Sequence, residues 1–445
     1  MFRMICTVLA LALAPSTAVA KEGDLIVLVL FDALRADHVG IYGYDRPTTP
    51  NLDAFAREGT RYTRSYVNAP WTRPSTATLL TGYYASHHRT ETEKSKLAES
   101  VTTLAERLKA KGYVTAGFTA NGNGGSLANL QKGFDVFEDP STTYTRKMRG
   151  KTYCCNGLPT GEFIVKRATK WLNSNKDKKR FIFLFFIDPH DPYGAPPELE
   201  RMFLGKDFKG KPRRRALWEA NNDYPPNERF SLMALYDAGI RYADKAFGQF
   251  LDVLKRKGLY DDATIMVTGD HGEGFGEHNF YLHAHHFWEE VIHVPLVIRG
   301  PGFAADKVDA RISQSVDVAT TIATVAGADT RDMQGVSLLG PPPKDAVAIS
   351  EYNEFGIHRQ AIIGERYKVI WQRPADEEWY MRTARKREYF PSVSFDKEVI
   401  RVFDLKTDPK ERKDLAQKMP AEAAALLTRL RQFVADSDAK ANRTP

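Results

Sequence analysis

The chain has 445 residues, with 63 Lys and Arg against 56 Asp and Glu, a formal net charge of +7 and 42% hydrophobic residues; that length buries a large core and allows two or three domains. Its 3 cysteines exclude a disulfide framework, and the adjacent pair Cys154-Cys155 has no other Cys nearby to complete a zinc site. The basic charge is clustered in Lys209-Gly210-Lys211-Pro212-Arg213-Arg214-Arg215 and in Arg382 with Arg385-Lys386-Arg387, a pattern of solvated surface or of attraction to an anionic polymer or lipid head group rather than to nucleic acid.

Basic Arg3, an apolar stretch from Met4 to Ala14, and Ala18-Val19-Ala20 before Lys21-Glu22 have the layout of a cleavable secretory signal over residues 1–20. A periplasmic or secreted protein is expected. Later apolar runs are strand-sized, so no transmembrane segment is predicted in the mature chain. Leu25 to Phe31 stops at Asp32, Phe181 to Ile187 stops at Asp188-Pro189-His190, and Thr264 to Val267 leads to Asp270-His271-Gly272. All three read as buried strands of a parallel sheet. Polar residues just past such strand ends face a common crevice, so Asp32, His190, Asp270 and His271 are expected to converge.

Helices are predicted at Asn51 to Glu58, at Val101 to Lys111 capped by Ser100, at Glu162 to Asn173 and at Leu232 to Lys257 closed by Gly258. Strands alternating with helices give an α/β domain over residues 21–340. The segments 120 to 158 and 193 to 228 read as long loops over the site rather than as sheet. After Pro341-Pro342-Pro343 come shorter strand candidates, Ala346 to Ile349, Gln360 to Ile363, Tyr367 to Trp371 and Val399 to Phe403, then a helix from Ala421 to Val434. Residues 341–445 are therefore expected to form a smaller antiparallel sheet with a closing helix.

Thr72 stands just before Pro74, a residue that favours the first turn of a helix, so its hydroxyl is either an N-cap or a group held in the positive field of a helix N-terminus. Asp32-Ala33-Leu34-Arg35-Ala36-Asp37, Thr49-Pro50-Asn51-Leu52-Asp53, Pro74-Ser75 through Leu80-Thr81-Gly82 and Gly269-Asp270-His271-Gly272-Glu273 closely resemble the sulfatase family of the alkaline phosphatase superfamily. Val294-Pro295-Leu296, Gly300-Pro301-Gly302, Asp317, Phe403-Asp404-Leu405, Asp408-Pro409 and Glu411 continue the likeness in order.

The resemblance implies a large, mostly parallel sheet flanked by helices, a small antiparallel C-terminal sheet, and one divalent cation held by Asp32, Thr72, Asp270 and His271. Ligand type alone does not choose among calcium, magnesium, manganese and zinc. His190 and His283 match positions that contact the transferred group or its leaving oxygen, and Arg35 and Asn121 are expected on the substrate. His271, His278, His283, His285, His286 and His293 are dense enough for a second ion, although His278, His285, His286 and His293 read first as supporting or surface residues.

The departures concern the reaction. Sulfatases carry a Cys or Ser, oxidised to formylglycine, where this chain has Thr72. Thr76 replaces an Arg, Asn121-Gly122-Asn123 replaces a Lys-Trp-His element, and His283 stands where a Lys is expected. Threonine cannot give the aldehyde, and a sulfate on a plain alkyl hydroxyl would persist as a dead-end ester, whereas phosphothreonine turns over by displacement at phosphorus. Metal-bound threonine is the nucleophile in the similar lipoteichoic acid synthases and phosphoethanolamine transferases. An anionic phosphoester or phosphodiester, such as envelope lipid or polysaccharide, is the leading expected substrate. A sulfuric ester hydrolase without formylglycine and an inactive anionic-glycan-binding protein are the alternatives.

Overall fold

The computed structural model describes residues 25–144, 157–214, 224–383 and 393–441. The signal segment, Cys154-Cys155 and Arg385-Lys386-Arg387 lie outside them. Ten strands precede residue 315: β1 (Leu25–Phe31), β2 (Thr60–Tyr66), β3 (Val114–Thr119), β4 (Val136–Glu138), β5 (Arg180–Phe186), β6 (Thr264–Gly269), β7 (Gly274–Phe275), β8 (Tyr281–Leu282), β9 (Leu296–Arg299) and β10 (Lys307–Gln314). Eight form one sheet in the order β10-β2-β9-β6-β1-β5-β3-β4, with β7 and β8 a separate ribbon. Only β9 runs antiparallel to its neighbours.

The sequence of β1 explains its central place. All 7 of its residues are buried. Val27, Val29 and Phe31 pack into one core with Leu52 and Phe55 of helix α1 (Pro50–Arg57) and with Leu235, Phe247 and Leu254 of the 31-residue helix Pro226–Arg256. Ile26, Leu28 and Leu30 pack into the opposite core with Leu79 and Leu80 of helix α2 (Thr72–Thr81) and with Val318 and Ile322 of the helix Ser315–Val325. A strand covered on both faces needs an unbroken apolar run, because successive side chains point to opposite layers.

Strands β11 (Ala348–Glu354), β12 (Ile357–Ile363), β13 (Tyr367–Gln372) and β14 (Val399–Asp404) form the antiparallel sheet. Phe355 (φ 54) and Gly356 (φ 74) turn β11 into β12, both left-handed as a tight hairpin requires. Helix Ala421–Ala441 lays Ala423, Leu427, Leu430 and Val434 over one face, against Ile349, Ile362, Val369 and Val402. On the other face, Tyr352, Ala361, Ile370 and Phe403 pack on Phe287, Trp288 and Val291. Between the sheets, buried Lys368 pairs with Glu411 at 2.6 Å and Glu289 at 2.9 Å.

Several boundaries differ from those expected. The segment read as loop from 120 to 158 supplies β4, which extends the sheet beyond β3, and the one from 193 to 228 contains the helix Pro197–Leu204. The helix expected from Val101 runs Leu104–Lys109, because Thr103 and Glu106 form a reciprocal capping box that Ser100 cannot make. Pro226 starts the long helix six residues before the expected Leu232. Among the described residues, no helix is long and apolar enough to cross a membrane.

Candidate active site

Four adjacent parallel strands, β6, β1, β5 and β3, end on one edge of the sheet. Phe31 pairs with both Gly269 and Phe186, so the next residues, Asp32 and Asp270, emerge side by side. His190 follows the end of β5 and Asn121 the end of β3. Opposite them begins α2, whose first residue is Thr72; its N-cap is Trp71, so Thr72 is not the cap. The Ser75 hydroxyl donates to the Asp270 carbonyl and ties this helix to β6.

The ligand atoms of Asp32, Asp270 and His271 lie within 4.8 Å of one another, and all three residues are buried. His271 Nε2 is 3.3 Å from Asp270 Oδ2, 3.7 Å from Asp32 Oδ1 and 3.2 Å from Thr72 Oγ1. Each carboxylate is anchored through one oxygen only. Asp270 Oδ1 accepts the backbone N–H groups of Ala33 (3.1 Å) and His271 (3.0 Å), and Ala33 adopts a left-handed φ of 56° beside the site. Asp32 Oδ2 accepts from the Asn121 amide at 2.7 Å. The other two oxygens, Asp32 Oδ1 and Asp270 Oδ2, are buried and have no hydrogen-bond partner among the described residues. His271 Nδ1 is engaged with the Gly272 carbonyl at 2.8 Å, which makes Nδ1 the donor and leaves Nε2 to accept.

A hard divalent cation fits this donor set. Two buried, bare carboxylate oxygens would otherwise be costly, and a deprotonated imidazole nitrogen and a hydroxyl complete the four atoms. Burial, aided by each carboxylate's neighbouring acid, pushes the Asp32 and Asp270 carboxyls up, while burial and the nearby His283 push the His271 imidazole down.

Two further imidazoles adjoin the cluster. The His283 ring lies 4.1 Å from that of His271 and 5.2 Å from that of His190, between centroids. His283 Nδ1 bonds Glu273 Oε1 at 2.9 Å, and Glu273 Oε2 accepts from the Tyr193 hydroxyl at 3.0 Å. Glu273 thus orients His283 as a buried carboxylate orients a catalytic imidazole. Leu282 (φ 69) and Ala284 (φ 92) flank it in left-handed conformations, which are uncommon for non-glycine residues.

Arg35, expected on the substrate, is engaged within the chain. Its guanidinium donates to both Asp37 oxygens (2.8 and 2.7 Å), to Glu277 Oε1 (2.7 Å) and to the Glu273 carbonyl (3.0 Å). These bonds cross-link the segment after β1 to the segment after β6. Asn121, also expected on substrate, directs its amide to Asp32. Asp188 belongs to the scaffold as well: its Oδ2 accepts from Gly161 N–H at 2.8 Å, at the start of helix Gly161–Ser174.

His278 bonds Glu290, His285 bonds the Tyr352 hydroxyl and His293 bonds the Thr63 carbonyl, while His286 packs edge-on against Phe280. Among the described residues the Asp32, Asp270 and His271 group is the one such gathering of potential ligands. In the basic cluster, Arg213 pairs with Glu228 and Arg214 with Glu200. From the sequence, Glu273, Arg73 and Asn123 take no role of their own. Glu273 had a signal, two positions after His271 in the same motif, but its partners Tyr193 and His283 become neighbours only in the fold.

The sulfatase family model matches residues 24–328, and the model for the C-terminal part of N-sulphoglucosamine sulphohydrolase matches residues 276–439. The Delta 4,5-hexuronate-2-O-sulfatase of Bacteroides thetaiotaomicron is 25% identical over 94% of this chain and 91% of its own. A structure solved with its substrate D-glucosamine-2-N,6-O-disulfate superimposes with a TM-score of 0.73, at 20% identity over 94% of this chain and 98% of that one. The phosphonate monoester hydrolase of Agrobacterium radiobacter gives a TM-score of 0.69 at 21% identity, over 93% and 95%.

Proposed function

The chain belongs to the sulfatase family, and from that premise we propose that it is an exported, metal-dependent hydrolase or transferase of phosphorus esters with Thr72 as nucleophile. The observation that carries the reading is the Thr72 hydroxyl, 3.2 Å from His271 Nε2 at the head of a buried helix and beside two bare carboxylate oxygens. A divalent cation bound by Asp32, Thr72, Asp270 and His271 would acidify the Thr72 hydroxyl and draw in a substrate oxygen.

The remaining chemistry belongs to the chain. Thr72 Oγ1 forms the bond to phosphorus in line as the bond to the leaving oxygen breaks. His190 or His283 delivers to that oxygen the proton given up by Thr72. Water or an acceptor alcohol then displaces the threonine, returning a proton by the same imidazole. The first-turn amide dipoles of α2 favour the developing negative charge.

Charge favours a monoanionic phosphodiester over a dianionic monoester. One divalent cation offsets the two carboxylates of Asp32 and Asp270, and the nearby Arg35 is paired with Asp37 and Glu277, so little positive charge is left for a second anionic oxygen.

The names of relatives support a second reading, a sulfuric ester hydrolase acting on sulfated sugars without formylglycine. A matched panel of aryl phosphate, phosphodiester, phosphonate and sulfate esters, each with calcium, magnesium, manganese and zinc, separates the two. Strong preference for sulfate esters over every phosphorus ester would sink the phosphoryl reading. Inactivity throughout, with retained binding of anionic glycans, would favour the third expectation of a silent binding protein.

A further inference from the structure

Asn121 sits in Thr119-Ala120-Asn121-Gly122-Asn123-Gly124, directly after β3. Every polar atom of this residue that the structure accounts for is fixed. Its backbone N–H donates to Thr119 Oγ1 (3.0 Å), and its carbonyl accepts from the same hydroxyl (2.9 Å). Its side-chain Oδ1 accepts the N–H of Asn123 (2.9 Å), which turns the amide nitrogen toward Asp32 Oδ2 (2.7 Å). Asn123 is held in turn, since its Oδ1 accepts from Arg73 Nη2 at 2.8 Å.

Arg73 is the residue after Thr72. It is buried, and its Nη1 donates to the carbonyls of Thr92 (3.1 Å), Ser95 (2.9 Å) and Glu93. The loop can approach this closely only because its spacers are glycines. A Cβ on Gly124 would stand 2.3 Å from Phe185 Cε1, and one on Gly122 would stand 2.5 Å from Ser141 Oγ.

We infer that Asn121, braced by Asn123 and Arg73, is a positioning residue that pins one oxygen of Asp32 so that the other is presented to the cation. This rests on the cation site proposed above. Asp32 reaches Asn121 through Oδ2 while its Oδ1 stays bare and faces His271 Nε2. A carboxylate without that anchor rotates, and both its oxygens then compete for the ion in unproductive orientations. Because Arg73 follows Thr72 in the chain, the brace also joins the ligand's orientation to that of the nucleophile.

The test measures Mn2+ affinity of the full chain, by electron paramagnetic resonance or chelator competition, alongside melting temperature in chelator. Asn121→Ala should bind Mn2+ about 10- to 100-fold more weakly, the usual cost of losing a partner that orients a metal ligand, while still giving a cooperative melting transition in chelator. Asn123→Ala should weaken binding in the same direction, and it supplies the same readout should Asn121→Ala fail to fold. The double variant should bind no more weakly than Asn121→Ala alone, because Asn123 acts through Asn121. Wild-type affinity in both single variants, or full additivity in the double, overturns the brace. A wild-type protein that binds no Mn2+ overturns the cation site and the brace with it, so the two failures are distinct.

Discussion

Thr72→Ser and Thr72→Ala separate the hydroxyl from the methyl group that stiffens it. Thr72 is 3% exposed at the first position of α2. The serine keeps Oγ but loses a buried methyl, costing about 0.8 kcal/mol of folding stability, and it frees a torsion that threonine restricts. With about three staggered wells in place of about two, the hydroxyl spends a smaller share of its time beside His271, so kcat should fall by less than about 3-fold. The alanine removes the attacking oxygen, and a loss of at least about 1,000-fold, or about 4 kcal/mol of barrier, is expected. Steady-state hydrolysis of an aryl phosphodiester with Mn2+ measures both. Peptide mapping after a rapid quench should find the transferred group on Thr72 in wild type and serine variant, and nowhere in the alanine variant. Undiminished turnover by Thr72→Ala, or a serine as inactive as the alanine, would refute the reasoning.

Asp270→Ala and His271→Ala should each lose the bound divalent ion and its increment in melting temperature; elemental analysis finding full metal content in both would exclude them as ligands. Lys368→Met leaves Glu289 and Glu411 facing each other without their cation, so urea unfolding should register a loss of about 3 to 5 kcal/mol, and a loss under about 1 kcal/mol would contradict the buried pairing. Burial, reinforced by Glu91, pushes the Glu351 carboxyl up from 4.5 to about 8 despite its bonds from Ser86. A raised acid favours the folded state below the unfolded value, and that contribution is lost as pH rises through the folded one. Glu351→Gln should therefore flatten the stability profile between pH 4.5 and about 8, by about 3 to 5 kcal/mol at 1.36 kcal/mol per unit. Parallel profiles for variant and wild type would contradict it.

The main strands were legible because burial on both faces demands uninterrupted apolar runs, and the site was legible because parallel strands deliver their following residues to one edge. Asp32, Asp270 and His271 follow from those two facts alone. β4 gave no such signal, since its 3 residues are only half-buried. The Thr103 and Glu106 capping box was written in the sequence and overlooked in favour of Ser100. The internal bonding of Arg35 was not legible for a different reason: its acidic partner Glu277 lies 242 residues away, and no local pattern announces a pairing that only the fold creates.

The cluster at the strand ends also has a mechanical meaning. Asp270 accepts from the backbone of Ala33 across 237 residues of sequence, so an ion held there would fasten the first described strand to a segment far along the chain, as a reversible clasp. Loop closure of that length is slow and entropically expensive, and an ion that binds only the closed form would offset about 2.7 kcal/mol of it when present at about 100 times its dissociation constant. The chain's resistance to unfolding would then serve as a gauge of the ion around it, firm in a replete medium and slack in a depleted one.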